Sequence, residues 1–157
     1  MKKIKIDDLI AKKNREKIVM ITAYDALFAR LFDEFADMIL IGDSLNMSFG
    51  GSSETLGISV DEMIYHTKAV QRATKRAFLV VDMPFGSVIT PKIALKNAVK
   101  IYKNTFCDAI KIEGGKEMAD TIKLLNQNGI AVIAHIGLKP QLSRQEGGYK
   151  VAGRDEN

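Results

Sequence analysis

Met38-Ile-Leu-Ile-Gly-Asp-Ser-Leu-Asn-Met47 decides the fold. Four apolar residues run without a break into Gly42, Asp43 and Ser44, and a glycine-rich loop follows through Gly50-Gly51. A short apolar run bounded by turn residues reads as a strand buried on both faces, the kind found in parallel sheets. The pattern recurs downstream. Phe78-Leu-Val-Val81 runs into Asp82, and Ala109-Ile-Lys-Ile112 runs into Glu113-Gly-Gly115. In α/β folds ligands sit at the carboxyl ends of parallel strands. Three buried strands thus each deliver a carboxylate to the same end, where a cation is expected to hold them together.

The rest of the chain repeats this unit. Ile18-Val-Met-Ile-Thr22 predicts a first strand, and Ile130-Ala-Val-Ile-Ala134 a fifth, closed by His135. Tyr24 and Asp25 open a helix whose Leu27, Phe28, Leu31, Phe32 and Phe35 fall at helical spacing and predict an inward face. Ser59-Val-Asp-Glu62 is a capping-box pattern that starts a helix to about Thr74, with Val60, Ile64 and Val70 inward. Thr90-Pro91 pairs an N-cap with a first-turn proline, and that helix is expected to bury Leu95, Ala98, Val99, Tyr102 and Phe106. Lys116 to Gln127 predicts another, with Met118, Ile122 and Leu125 inward and Asn128-Gly129 as its stop. Lys2 to Lys17 reads as a short polar helix or arm anchored by Ile4, Leu9 and Ile10. Gly137 to Asn157 reads as a polar loop without a sixth strand.

Strands alternating with helices mean a parallel sheet with right-handed crossovers. Two architectures fit: a doubly wound five-stranded sheet, or part of a (β/α)8 barrel. A barrel takes ~250 residues, so 157 residues in a single domain favour the doubly wound sheet on length alone.

Composition narrows the function. Apolar residues make up 46% and the net charge is +4, with mean hydropathy near zero, as in an ordinary globular chain. The lysines are spread along the helices and the N-terminal stretch and are not gathered with aromatics, which points away from nucleic acid. Cys107 stands alone, so no disulfide framework is expected, and it reads as a small buried residue at a helix end. The lysine-rich start has no apolar core of the signal-peptide kind, and no apolar run approaches the ~20 residues of a membrane span. A cytoplasmic protein is the expectation.

Asp43, Asp82 and Glu113 are the sharpest constellation, since oxygen ligands from separate strand ends suit a hard cation such as Mg²⁺. The plain alternative is that each acid merely caps the next helix or loop. Lys111 lies two residues before Glu113 and so shares its face of the strand. It would pair with the nearby acids or steady a developing oxyanion. His135 closes the fifth strand at the same end, as a hydrogen-bond donor, an acid/base group, or a satisfied structural histidine. His66, mid-helix, reads as structural. Ser44 would bind a carboxylate through its hydroxyl and amide. No Ser-His-Asp arrangement, CxxC, GxGxxG or P-loop is present. Strand-end acids and Lys139-Pro140 are similar to a receiver domain of two-component signalling. That fold wants an acidic pair ending its first strand, where this chain has Thr22-Ala-Tyr24, and a hydroxyl residue on its fourth, where Lys111 and Glu113 stand. A receiver-like non-catalytic module is therefore a poor match.

Seven strings occur in order: Ile21-Thr-Ala-Tyr-Asp25, Gly42-Asp-Ser-Leu45, Tyr65-His-Thr67, Asp82-Met-Pro-Phe85, Lys111-Ile-Glu-Gly-Gly115, His135-Ile-Gly-Leu138 and Gly147-Gly-Tyr-Lys-Val151 with Gly153-Arg154. Together, over nearly the whole chain, they resemble the ketopantoate hydroxymethyltransferase family. The resemblance implies a (β/α)8 TIM barrel of the phosphoenolpyruvate mutase/isocitrate lyase type, with about five βα units in this sequence, and overrides the length argument. It implies Asp43, Asp82 and Glu113 as the Mg²⁺ carboxylates, and Asp43, Ser44, Asp82, Lys111 and His135 at the ketoacid. It further implies methylene-tetrahydrofolate as one-carbon donor, an enolate of 3-methyl-2-oxobutanoate steadied by Mg²⁺ and Lys111, and a large homo-oligomer, a decamer. Its general base is a glutamate ending a sixth strand. Glu146 and Glu156 match no such position, so no residue of this sequence is assigned that role. A five-strand section with open edges is expected to be poorly soluble or rescued by association. A magnesium-dependent carbon–carbon lyase of the same barrel group is the alternative, separated by dependence on folate.

Overall fold

β-Branched and other apolar runs, too short for helices, form five strands in the computed structural model, which describes residues 2–149. They are β1 (Met20–Thr22), β2 (Met38–Ile41), β3 (Phe78–Asp82), β4 (Ala109–Glu113) and β5 (Val132–His135). Seven α-helices accompany them: α1 (Ile6–Ala11), α2 (Ala26–Phe32), α3 (Leu45–Ser48), α4 (Val60–Ala73), α5 (Pro91–Asn104), α6 (Ala119–Gln127) and α7 (Ser143–Glu146). Lys150, Val151, Gly153, Arg154 and Glu156, noted above, lie outside the described residues.

All pairings are parallel and the strands lie in the order β1-β2-β3-β4-β5. A doubly wound sheet reverses its strand order at a switch point. This one does not, so the length-based preference fails. Because every crossover runs the same way, α2, α4, α5 and α6 share one face, each packed on the next. There Ile39, Ile41, Leu79, Val81, Ile110 and Ile112 meet Ala29, Met63, Val70, Ala98, Ile101 and Leu125. The other face carries Met38, Leu40, Phe78, Val80, Ala109 and Ile133, covered at its lower end by Leu9 of α1 and by Ile4. β3 is buried along its whole length.

The helix starts follow the sequence. Ser59 Oγ accepts the Glu62 N–H at 3.2 Å while Glu62 Oε2 accepts the Ser59 N–H at 2.8 Å. Thr90 Oγ1 caps Ile93 N–H at 3.2 Å, and Asp25 Oδ1 caps Leu27 and Phe28 at 2.7 and 2.9 Å.

Several expectations are corrected. The stripe on α2 does not face inward: Leu27, Phe28, Leu31 and Phe35 are exposed, Ala29 is buried and Phe32 is half-buried. A small residue lets α2 approach α4 closely, and bulk is turned outward. On α5, Ala94, Ala98 and Ile101 are buried while Val99 and Phe106 are exposed. Leu9 anchors the N-terminal arm, but Ile10 is exposed. β1 begins at Met20, two residues late, and β5 is shifted to include His135. The expected loop after β5 contains a 3-10 turn (Pro140–Leu142) and α7. Cys107 is buried as expected, and burial pushes its thiol up to about 11.

Asp33, which the sequence analysis passed over, joins α2 to the start of β3. Its buried carboxylate accepts backbone N–H groups of Lys75 (2.8 Å), Arg76 (3.0 Å) and Ala77 (2.7 Å). Asp33→Ala leaves those donors without their acceptor and is expected to cost about 3 kcal/mol of unfolding free energy in urea. A loss below about 0.5 kcal/mol, the size of an ordinary surface change, would contradict this role.

Candidate active site

Strand ends supply the site, and the register fixes who meets whom. Asp82 pairs with Lys111 across β3 and β4, and Glu113 pairs with His135 across β4 and β5. Cα partners in adjacent strands share a face, so all four point to the side opposite the helices. Lys111 Nζ lies 2.7 Å from Asp82 Oδ1. Asp43 N–H donates to Asp82 Oδ2 at 3.1 Å. A Cβ at Gly42 would meet Asp82 Oδ2 in ordinary contact at 3.4 Å but would crowd Ser44 Oγ at 3.1 Å. His135 Nδ1 stands 3.8 Å from Glu113 Oε1, beyond hydrogen bonding.

Two groups that touch the site escaped the sequence reading. Tyr24 Oη and Ser44 Oγ share a hydrogen bond of 2.8 Å, and the Tyr24 carbonyl lies 2.7 Å from His66 Nδ1. His66 is therefore structural, as expected, but it steadies the residue that orients Ser44. The strings around Tyr24 and His66 were visible; their contact, 42 residues apart in sequence, was not. Gln141 is the other: its side-chain amide donates to Asp43 Oδ2 at 2.7 Å. No local pattern around Gln141 announces this.

The electrostatics separate these acids from ordinary caps. Burial pushes Asp82 up to about 6 and Glu113 up to about 7, and it raises Asp43 as well. Burial and the Lys111 charge lower His135. Asp37, at the opposite end of β2, is equally buried, yet its carboxyl sits below the ordinary range. Burial raises it, but the Val19 N–H and Lys12 outweigh that.

The donor set fits a divalent cation. Three carboxylates face one ammonium, an excess of negative charge that a dication would balance. Asp82 Oδ1 and His135 Nδ1 are buried without a hydrogen bond; the Lys111 contact to that oxygen is ionic. Among the described residues, no group of three His, Cys, Asp or Glu side chains is placed to hold a metal ion by itself. Mg²⁺ needs no such group, since it takes one or two carboxylates and completes its octahedron with water and substrate oxygens. Beside Glu113 opens a cleft of about 410 Å³ walled by Phe85, Val88, Ile89, Met118 and Leu142.

These shifts carry a sign. Glu113 holds its proton to about pH 7 when folded, against an ordinary value of 4.5. Between those values the folded chain binds a proton that the unfolded chain has lost, so stability falls as pH rises through that window. Asp82 adds the same slope between 3.8 and about 6. In urea titrations of the metal-free protein, Glu113→Gln is expected to gain on wild type steadily from pH 5 to pH 7.5. Parallel pH profiles for the two proteins would refute the assignment.

Comparison with known proteins gives the family and the fold. The family model described as ketopantoate hydroxymethyltransferase matches residues 3–157. The chain is 77% identical over 156 residues to the 3-methyl-2-oxobutanoate hydroxymethyltransferase of Campylobacter fetus, covering 99% of this chain and 59% of that protein. It is 60% identical to the enzyme of that name from Wolinella succinogenes, covering 99% and 60%. The chain thus spans about three-fifths of the length of the curated relatives it matches. Among solved structures it is similar to 2,3-dimethylmalate lyase, a PEP mutase/isocitrate lyase superfamily member, with TM-score 0.59 and 16% identity over 85% of this chain and 54% of that one. Phosphoenolpyruvate phosphomutase from Streptomyces platensis gives TM-score 0.61 and 18% identity over 80% and 51%. At such identities the likeness concerns the fold alone: a parallel sheet of five βα units in sequential order, as in part of a TIM barrel. By its sequence from residue 3 onward, the chain belongs to the ketopantoate hydroxymethyltransferase family.

Proposed function

We propose that the protein transfers a hydroxymethyl group to 3-methyl-2-oxobutanoate, giving ketopantoate for pantothenate and coenzyme A synthesis. The observation that carries this reading is the buried group of Asp43, Asp82, Glu113 and Lys111 at the carboxyl ends of β2, β3 and β4. Family membership selects the reaction among those such a group would serve.

Each residue then has a role. Mg²⁺ would be held among Asp43, Asp82 and Glu113, by one or two of these carboxylates directly, and would supply Lewis acidity at the ketoacid's 2-oxo group. Lys111, pinned by Asp82, keeps a positive charge beside the oxygen that gains charge when the C3 proton leaves. Ser44, oriented by Tyr24, donates to the ketoacid carboxylate, and His135 lines the pocket. The C3 carbanion attacks the methylene carbon of methylene-tetrahydrofolate. One C–C bond forms, both C–N bonds to the methylene carbon break as water supplies its hydroxyl oxygen, and tetrahydrofolate leaves with two new N–H protons, one from C3 and one from water. The cleft beside Glu113 is an approach for that second substrate. The base that takes the C3 proton is, by the resemblance, a glutamate on a sixth strand outside this sequence. A cytoplasmic homo-oligomer completes the reading. Among the described residues, no helix is long and apolar enough to cross a membrane.

The experiment is proton exchange at C3 of 3-methyl-2-oxobutanoate in D₂O, followed by NMR without folate. In protein that includes the sixth-strand glutamate, exchange is expected to require Mg²⁺ and to slow about 10²- to 10³-fold in Lys111→Met, the loss typical of removing one oxyanion donor. Binding of Mg²⁺ and ketoacid by this chain alone, without exchange, would assign the base to residues beyond this sequence. Exchange indifferent to Mg²⁺ and to Lys111→Met would sink the proposal.

A further inference from the structure

Gln141 touches three strand ends at once. Its side-chain amide donates to Asp43 Oδ2, which follows β2, at 2.7 Å. The same nitrogen donates to the carbonyl of Met83, which follows β3, at 3.0 Å. Its backbone N–H donates to Glu113 Oε2, on β4, at 3.1 Å. A carboxamide nitrogen has two hydrogens and no acceptor capacity, so both of its donors are used. Turning the amide over would set its oxygen against a carboxylate and a carbonyl. The network therefore fixes its orientation.

The segment that presents Gln141 is itself held. Pro140 opens the 3-10 turn, and Leu142 N–H closes it on the Lys139 carbonyl at 2.9 Å. Further on, Arg144 of α7 pairs with Glu54, in the loop that follows α3. Asp43 is buried, and the hydrogen bond from Gln141 is the contact that fixes one of its two oxygens.

We propose that Gln141 is a positioning residue for the cation site. Its side chain holds Asp43 by Oδ2 and its backbone holds Glu113 by Oε2, which leaves Asp43 Oδ1 and Glu113 Oε1 untouched by Gln141. The inference rests on the cation reading given above. Partners that orient a metal's ligands typically govern affinity by 10–100-fold when removed. Gln141 makes no bond to cation or substrate in this role.

The test is Mn²⁺ binding by electron paramagnetic resonance, with and without 3-methyl-2-oxobutanoate, beside the thermal transition of the metal-free protein. Gln141→Met keeps the unbranched stem and removes both side-chain donors; Gln141→Ala removes the stem as well. Both are expected to raise the Mn²⁺ dissociation constant roughly 10- to 100-fold. The metal-free melting temperature of Gln141→Met should move by less than about 4 °C. Wild-type affinity in both variants would overturn the role while leaving the cation reading intact. A weaker site accompanied by loss of the metal-free transition in Gln141→Met would also overturn it, as the mark of a loop latch alone. No Mn²⁺ binding by wild type would overturn the cation reading and this role together.

Discussion

The contact of Lys111 Nζ with Asp82 Oδ1, 2.7 Å long and buried, is possible only in one register of β3 against β4. Side chains alternate along a strand, so a slip of one residue would turn Lys111 toward the apolar helices. An unpaired ammonium there is heavily penalised, and breaking a buried pair by removing one member typically costs about 3–5 kcal/mol. The pair therefore helps set the register that the site needs. It also sets the lysine against a carboxylate that burial pushes up to about 6. Glu113, two residues on, is carried to the same face by that register, and His135 of β5 is set opposite it.

The two ends of the sheet use acids for opposite purposes. At the amino end, Asp33, Asp37 and Asp108 accept backbone N–H groups and stitch strands to loops. Lys3 reaches Asp108 at 2.8 Å and Lys12 reaches Asp37 at 2.9 Å. These carboxylates are satisfied, and those of Asp37 and Asp108 are each balanced by a lysine. At the carboxyl end three carboxylates share the one ammonium of Lys111, which is paired with Asp82, and His135 keeps a buried nitrogen without a hydrogen bond. Barrel enzymes place chemistry at the carboxyl end and stability at the other. Here the division shows in the partners: satisfied acids are structural, and under-satisfied ones are kept for a ligand.

Crossovers of one hand put all the large helices on one face of the sheet. That leaves the other face free to carry Asp82, Lys111, Glu113 and His135 above a lower apolar layer of Met38, Phe78, Val80 and Ala109. Small residues occupy buried positions on two of those helices: Ala29 on α2, and Ala94 and Ala98 on α5. Large apolar side chains on those helices then point outward, and Phe35 is three-quarters exposed. The same packing explains why helical spacing misled on α2. Periodicity identifies a stripe, but two stripes of different bulk compete for the sheet, and the closer approach goes to the smaller.

Strand identity, strand-end carboxylates and capped helix starts were legible in the sequence because each depends on neighbours in the chain. An apolar run ending in Asp43, Asp82 or Glu113 announces a buried strand and its acid without reference to the rest of the molecule. Ser59 with Glu62, and Thr90 with Pro91, announce helix starts for the same reason. Lys111 and Glu113 were placed on one face by the period of two alone. The tertiary structure decided what spans long separations. It chose sequential strand order over a doubly wound sheet, since both share the same local alternation. It turned the α2 stripe outward, and it brought Tyr24 to Ser44. It also carried Gln141 across 98 residues to Asp43. Hydrogen bonds between distant residues leave no periodic trace, because their geometry comes from the packing of whole elements and not from the order of residues within any one of them.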